Sequence, residues 1–539
     1  MEESKEEEPT PPVEPAPQTV QLPPLPALAM AAETTAPTRP ITTYVLTRFV
    51  LLRFLGFVYF TAFLVAAHQL VPLIGHDGLT PADVLLQRAE KQFGSANTAF
   101  SELPSVFWWK MSDDMLLAVA WAGVALSGIV MCGYANSLIM LVLWALYMSI
   151  VHVGQVWYGY GWDIQILETG FLAVFLCPLL DGRPFSKRAP PVVVIWLYRW
   201  LIFRIMLGAG LIKIRGDECW RDLTALYYHY ETQPVPNPLS RTLHFMPHWF
   251  HQGGVAWNHF IELVVPWFAF WPKISRHIAG FLMVSFQVIL IFSGNLSFLN
   301  WLTIVPCLAC FDDSFWRWLL PRFLVVRADA AMEKPKSSLL PNIASCLFAA
   351  LVVWLSIEPV KNLISSQQVM NASLGTLSQL HLVNTYGAFG TVGKERFEVI
   401  IEGTDELIPT SFAQWREYEF KVKPGDVKRR PPVITPYHYR LDWQTWFIPL
   451  EPQQQHPWIV HLLWKLLHND KSTLSLLANN PFPNEPPKFV RVLLYRYKYA
   501  PLGNKEGAWW QRGQSEVLVK PVSTSDAGLK NFLRAYGWL

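Results

Sequence analysis

The chain is 539 residues long, 52% hydrophobic and only 16% charged, with 25 Trp and a formal net charge of +3. A soluble protein carries about 25% charge, so sparse charge together with repeated apolar runs near 20 residues describes a membrane protein in contact with a lipid bilayer. The small net charge, with no basic stripe and no RNA-binding signature, points to no nucleic-acid partner.

Residues 1–40 are acidic and then Pro-rich, ten of the forty being Pro. Such a segment cannot bury a core and is expected to be a disordered cytosolic tail. The acidic start predicts no cleavable signal peptide, and the first apolar run, from about Phe49, is expected to serve as a signal anchor.

Residues 41–365 read as an α-helical polytopic membrane bundle. Nine candidate spans follow one another: 49–71, 115–132, 137–157, 163–180, 192–212, 255–271, 275–293, 297–311 and 342–360. Several are short or interrupted, by Glu168 in the fourth and by Glu262 and Pro266 in the sixth, so five to eight spans with re-entrant pieces is the alternative. Positive residues support nine. Arg183, Lys187 and Arg188, then Lys273 and Arg276, then Arg317, Arg322, Arg327, Lys334 and Lys336 all fall on the cytosolic side of a nine-span threading with a cytosolic N-terminus. That threading places the loop 213–254 and the C-terminal part in the lumen. Asn371-Ala372-Ser373 is then a glycosylation candidate just past the last span, whereas the sequon at Asn295 sits in a tight turn that hides it.

From residue 366 the chain reads as a β-rich lumenal domain. Phe397, Val399 and Ile401 alternate with Arg396 and Glu398; Tyr418, Phe420 and Val422 alternate with Glu417, Glu419 and Lys421; Tyr495, Tyr497 and Tyr499 alternate with Arg496 and Lys498. This is the period of half-buried strands. Pro424-Gly425 marks a turn and Pro457–Leu467 a short helix, so an antiparallel sandwich or barrel with an inserted helix is expected.

Few residues carry recognisable chemistry. Of six Cys, five lie in or beside apolar runs, and the Cys307–Cys310 pair has Cys-x-x-Cys spacing inside a span, where packing is the expected role. Cys219 follows Asp217 and Glu218, which disfavour a thiolate; a free buried thiol, an intermolecular disulfide and a catalytic thiol stay open. His244 and His248 have helical metal-ligand spacing, but Pro247 interrupts them and no metal or other cofactor is expected. Glu168, Arg199, Arg204, Lys213 and Glu262 are costly in a bilayer and should pair within the bundle, Glu168 or Glu262 with Arg199 or Arg204; a polar cavity with a catalytic or ligand role is the alternative. No nucleophile elbow, P-loop or dinucleotide fingerprint is present, so the chain is not expected to be a lipase or another enzyme of those classes.

The densest polar segment is Gly216–Pro238, containing Cys219, Trp220, Arg221, Asp222, Tyr228, His229, Tyr230, Glu231, Gln233, Pro234, Asn237 and Pro238. It reads either as a rigid cap over the spans or as a client-binding surface near the membrane. The run Asp442-Trp443-Gln444-Thr445-Trp446-Phe447 has the same two readings. Together with Asn384–Gly390, Glu402-Gly403-Thr404, Lys423–Asp426, Arg440–Leu441 and Asn480–Pro483, these segments resemble, in order and over roughly residues 50 to 510, the lipase maturation factor family. The resemblance implies a polytopic endoplasmic reticulum protein that helps dimeric secreted lipases of the lipoprotein lipase type to fold, with secreted lipase-type clients as partners and no cofactor. Cys219, Trp220, Arg221, Asp222, Tyr228, His229, Tyr230, Glu231, Gln233, Pro234, Asn237 and Pro238, with Asp442, Trp443 and Trp446, are the family-motif residues and the candidates for client binding. The competing class is an integral membrane enzyme distantly similar to the vitamin K-dependent carboxylase group, in which Lys213, His229, Glu231 and His259 line a lumen-side site.

Overall fold

The computed structural model describes residues 43–333, 339–410, 412–451 and 455–539. The expected tail 1–40 lies outside them. Among the described residues, five helical segments are long and apolar enough to cross a bilayer: Val45–Ile74, Asp113–Cys132, Val192–Arg215, Lys273–Ser293 and the pair of helices over Leu339–Ile364. The first is central. Leu51, Leu55, Val58, Tyr59, Ala62, Phe63, Ala66 and Leu70 along it are fully buried, so it is enclosed by its neighbours on most sides.

Four of the expected spans correspond to shorter or broken elements. Ser137–Val153 and Gly161–Leu176 are helices of 17 and 16 residues, and Leu299–Cys307 is a nine-residue helix continued by a single 3₁₀ turn. The stretch 255–271 is not one helix. An α-helix over His248–His259 gives way to a π-turn over Phe260–Val264 and then to a 3₁₀ segment over Val265–Phe270. Pro266 causes this: it has no N–H to donate to Glu262, four residues back, so the regular ladder cannot continue. The Val265 amide bonds to the Phe260 carbonyl instead, five residues back.

Among the described residues the C-terminal part holds one open four-stranded antiparallel sheet, not the expected sandwich or barrel. Strands β1 (Arg396–Thr404), β2 (Arg416–Tyr418), β3 (Phe489–Tyr499) and β4 (Trp510–Val522) lie in the order β2-β1-β3-β4. Arg396 faces Tyr497 and Thr404 faces Phe489 across β1 and β3. A second sheet is unnecessary because helices complete the core. The expected helix spans Trp458–Leu467 and buries Trp458, Leu462, Leu463 and Leu466. The expected strand through Phe420 and Val422 ends at Tyr418, leaving a single bridge between Phe420 and Leu477. The polar face of β1 also departs from expectation. Arg396, Glu398 and Glu402 are buried, not solvated, and each is ion-paired: Arg396 with Glu398, Lys423 with Glu398 at 2.8 Å, and Arg491 with Glu402. One continuous apolar cluster runs from the helices into the sheet.

Candidate functional site

Two charged residues of the bundle find their partners in the C-terminal chain. Asp163, fully buried, takes both terminal nitrogens of Arg440 at 3.0 and 3.2 Å and the Tyr147 hydroxyl at 2.6 Å. Glu168 pairs with Arg204 and accepts from the Asn384 amide at 2.9 Å, the Asn384 side chain at 3.0 Å and the Tyr386 hydroxyl at 2.7 Å. Arg204 returns a bond to the Asn384 carbonyl at 2.7 Å. Both carboxylates are thus neutralised and fully hydrogen-bonded, the condition under which buried charge is tolerated. Glu262, turned inward by the π-segment, pairs with Lys213 at 2.5 Å, and Asn258 bonds to both. Among the described residues Arg199 meets no carboxylate; it donates to the Ala309 carbonyl and the Tyr44 hydroxyl. Of the expected pairings, Glu168 with Arg204 forms, while Glu262 takes Lys213.

The segment 216–238 is folded against the segment 384–396. Asp217 caps the short helix Glu218–Arg221, and its own amide donates to the Gly390 carbonyl at 2.9 Å. A Cβ at Gly216 would collide with that carbonyl, and one at Gly208 with the Tyr386 carbonyl, so both positions require glycine for close backbone approach. The Trp220 indole donates to the Phe389 carbonyl at 2.8 Å. Cys219 is buried among Trp220, Ala225, Val255 and Val392, and burial together with Asp217 pushes its thiol up to about 12. Cys219, Cys307 and Cys310 are all free and buried. Arg221 and Asp222 are exposed, and Arg221 caps carbonyls at the end of the Val192–Arg215 helix.

The second half of the motif is a clamp. A short helix, Leu226–Thr232, ends in Gln233 and three closely spaced prolines at 234, 236 and 238. Its end carbonyls have no partner within the helix. Arg396 supplies one: its guanidinium donates to the carbonyls of Glu231 at 2.9 Å, Gln233 at 2.5 Å and Pro234 at 3.1 Å. The Trp446 indole takes the Thr232 carbonyl at 2.8 Å, and the Glu231 carboxylate takes the Tyr499 amide at 2.6 Å. The Tyr230 carbonyl accepts from the Tyr499 hydroxyl at 3.2 Å. Gln233 bridges Ser240 and the Ser293 carbonyl, and Asn237 caps the Pro238–His244 helix while bonding to the Phe292 carbonyl. Pro234 is buried; Tyr228, His229 and Pro238 are half-buried. Asp442 holds the Val422 and Lys423 amides at 2.7 and 3.0 Å, and Trp443 packs edge-on against Trp162.

The residues of the enzyme alternative divide. Lys213 lies 5.1 Å over the Trp220 ring, His259 bonds to the Trp220 carbonyl at 3.0 Å, and His229 abuts Phe389. Burial, with Lys213 nearby, lowers His229 to about 4. Glu231 is turned away to Tyr499. His244 packs on Tyr499 and His248 stacks on Tyr227. Among the described residues no group of three or more His, Cys, Asp or Glu side chains is placed to hold a metal. Asn371 is exposed, whereas the Asn295 carboxamide is buried and bonded to the carbonyls of Pro236 and Pro432 and the amides of Ile434 and Thr435. The signal that sequence reading missed was Asp163, three residues after Tyr160 and close to a predicted span boundary.

Membrane-length helices with buried ion pairs, locked by one polar loop to a sheet domain that supplies part of the bonding, define a polytopic membrane protein with a fixed C-terminal domain. The model of the lipase maturation factor transmembrane domain matches residues 46–318, and that of the lipase maturation factor C-terminal domain matches 382–520. The chain belongs to the lipase maturation factor family. It is 48% identical to Lipase maturation factor 1 of Homo sapiens over 519 residues, covering 92% of this chain and 91% of that one. With the Mus musculus form it shares 47% over 523 residues, covering 92% and 90%. With Lipase maturation factor 2 of Homo sapiens it shares 29% over 603 residues, covering 89% and 83%. No solved structure matches the chain.

Proposed function

We propose that this chain is an endoplasmic reticulum membrane factor that assists the folding, assembly and maturation of secreted dimeric lipases, acting without a catalytic step of its own. The near full-length similarity to proteins named for lipase maturation carries the client class. The single structural observation behind the mechanism is the clamp of Arg396 on the 231–234 carbonyls. It holds the sheet domain at a fixed place on the bundle, so a client surface built there is presented to chains as they emerge beside the membrane. Tethering raises effective concentration without tight affinity.

In this reading the chain crosses the membrane nine times, with its N-terminus cytosolic and the sheet domain lumenal, the shorter helices serving as spans. Asn371 carries a glycan. The buried members of the motif, Cys219, Trp220, Tyr230, Glu231, Gln233, Pro234 and Asn237, set the shape of the working surface. Arg221, Asp222, Tyr228, His229 and Pro238, with the edge of Trp446, are its accessible part. Co-expression with a dimeric secreted lipase in cells lacking their own maturation factor tests this. Secreted lipase activity per unit lipase mass should rise. No rise from a well-expressed protein would reject the client assignment.

A further inference from the structure

The two edges of the four-stranded sheet differ. β2 is three residues long and offers little to pair with. β4 is 13 residues long. From Gln511 to Val522 its main chain bonds to β3 and, among the described residues, to nothing on the other side. Gly513, Gln514, Ser515, Glu516 and Val517 are exposed in succession. A row of unpaired N–H and C=O groups is a template for another strand, so such an edge is either guarded or used. Here it is guarded only in part. One residue is inserted on β4 between the pairs Tyr495–Ser515 and Tyr497–Arg512, and Leu518 is inserted between Val492–Val519 and Leu493–Val517. Lys520 and Pro521 follow. These bulges oppose pairing with a long flat strand, such as β4 of a second copy, but leave Ser515, Glu516 and Val517 in regular register between them.

The bulge at Leu518 also re-aims a side chain. Successive strand residues point to opposite faces, yet Leu518 and Val519 line one cavity. That cavity holds about 280 Å³ and is mostly apolar. Its other walls are Ile448, Val460 of the helix Trp458–Leu467, and Phe532 and Tyr536 at the C-terminal helix Ala527–Ala535. The last wall is held in place: Phe532 stacks on Tyr536 at 4.7 Å, Arg88 donates to the Tyr536 carbonyl at 2.5 Å, and Trp538 stacks on His461 at 5.2 Å. An unpaired strand edge with an apolar pocket beside it is the arrangement that recognises extended peptides, the edge supplying main-chain bonds and the pocket selecting a side chain. Arg512 is engaged by Glu417, whereas Glu516 is exposed and, among the described residues, has no ionic partner, which favours a basic residue in the docked segment.

We propose that the β4 edge and this cavity bind a short extended segment of an incompletely folded secreted chain. The segment pairs with Ser515–Val517, places an apolar side chain in the cavity and a basic one near Glu516. The source of the segment rests on the folding-factor reading above: partly folded chains expose strands that have not yet found their partners.

The test uses the full chain in lipid nanodiscs and a short fluorescent peptide of alternating Thr and Val with a central Phe and one Lys. Anisotropy should show saturable binding. Methylating the amide nitrogens on one edge of the peptide should weaken binding roughly tenfold or more, and methylating those on the opposite edge should leave it unchanged, because only one edge meets β4. Val460→Phe narrows the cavity and should weaken the Phe peptide roughly tenfold, with little change for a peptide carrying Ala in its place. Glu516→Lys alters an exposed position and should weaken binding about threefold or more, restored by a peptide that carries Glu for Lys. No binding of the peptide, or equal losses from both methylated sets, overturns the proposal. So does a dimer in sedimentation that Glu516→Lys dissolves, which assigns the edge to a second copy. Lipase co-expression is read separately. Lipase activity that rises without peptide binding rejects the groove alone; peptide binding without that rise rejects the lipase clients alone.

Discussion

Arg396 is the residue whose removal should do most to separate the sheet domain from the bundle. Its guanidinium holds three main-chain carbonyls of the 231–234 turn and the Glu398 carboxylate, and its plane lies 5.4 Å over Trp510. Arg396→Met keeps the length of the stem and deletes every one of those bonds. Glu398 stays neutralised by Lys423, so the loss falls mainly on the three carbonyls. Hydrogen bonds to a charged group contribute about 1.5–3 kcal/mol each, but bonds sharing one donor group do not add. Breaking a buried charged cluster costs about 3–5 kcal/mol, which is the expected size here. At about 1.4 kcal/mol per tenfold, the equilibrium for local opening of the clamp rises by roughly two to three and a half orders of magnitude. Amide hydrogen exchange reads this directly. Protection should collapse in 231–238 and in β3 near Tyr499, while the Val45–Ile74 helix stays protected. Arg396→Lys retains the charge but cannot fork to three carbonyls, and should give an intermediate loss. Unchanged protection at 231–238 in Arg396→Met would refute the clamp.

Glu168→Leu strands Arg204 in a buried site and should destabilise by about 3–5 kcal/mol, seen as a large drop in thermal midpoint and yield; Glu168→Gln, which keeps its acceptor, should cost less. Gly216→Val should weaken the joint through its collision with Gly390, and near-normal melting would remove the close-approach argument. His229, His381 and His461 are held by burial at about 4, against an ordinary 6.5. Between those values the unfolded chain binds protons that the folded chain does not. Their stabilisation is therefore complete above pH 6.5 and is lost as pH falls toward 4, by up to ~2 kcal/mol each at pH 5. Melting in detergent at pH 7 and pH 5 checks this, and His229→Gln should flatten the dependence. Cys219 should resist maleimide at pH 8 in the folded protein and react only on unfolding.

The helices were legible because apolar length is a strong signal, and the tail helix Trp458–Leu467 because its apolar spacing is regular. The break at Pro266 was legible as an interruption, but not its use: only the π-turn reveals that Glu262 faces Lys213. Period-2 alternation located β1 and β3 but misjudged the polar face, since period reports which residues differ and not what covers them. Arg396 and Glu398 look solvated until the 231–234 turn arrives from far away in sequence. The motif 216–238 was recognisable as the most polar stretch, yet most of its side chains work inward. Asp163 escaped notice because its partner Arg440 is 277 residues away.

That separation has a consequence in time. Ribosomes add roughly 5–20 residues per second, so Asp163 emerges roughly 14–55 s before Arg440 does. Glu168 waits in the same way for Asn384, 216 residues later. During that interval Asp163 lacks its cationic partner, and Glu168 has Arg204 but not the Asn384 and Tyr386 donors that complete its bonding. The membrane part is therefore completed only when the C-terminal chain arrives, and the protein passes through a long unfinished state before its buried charges are fully bonded.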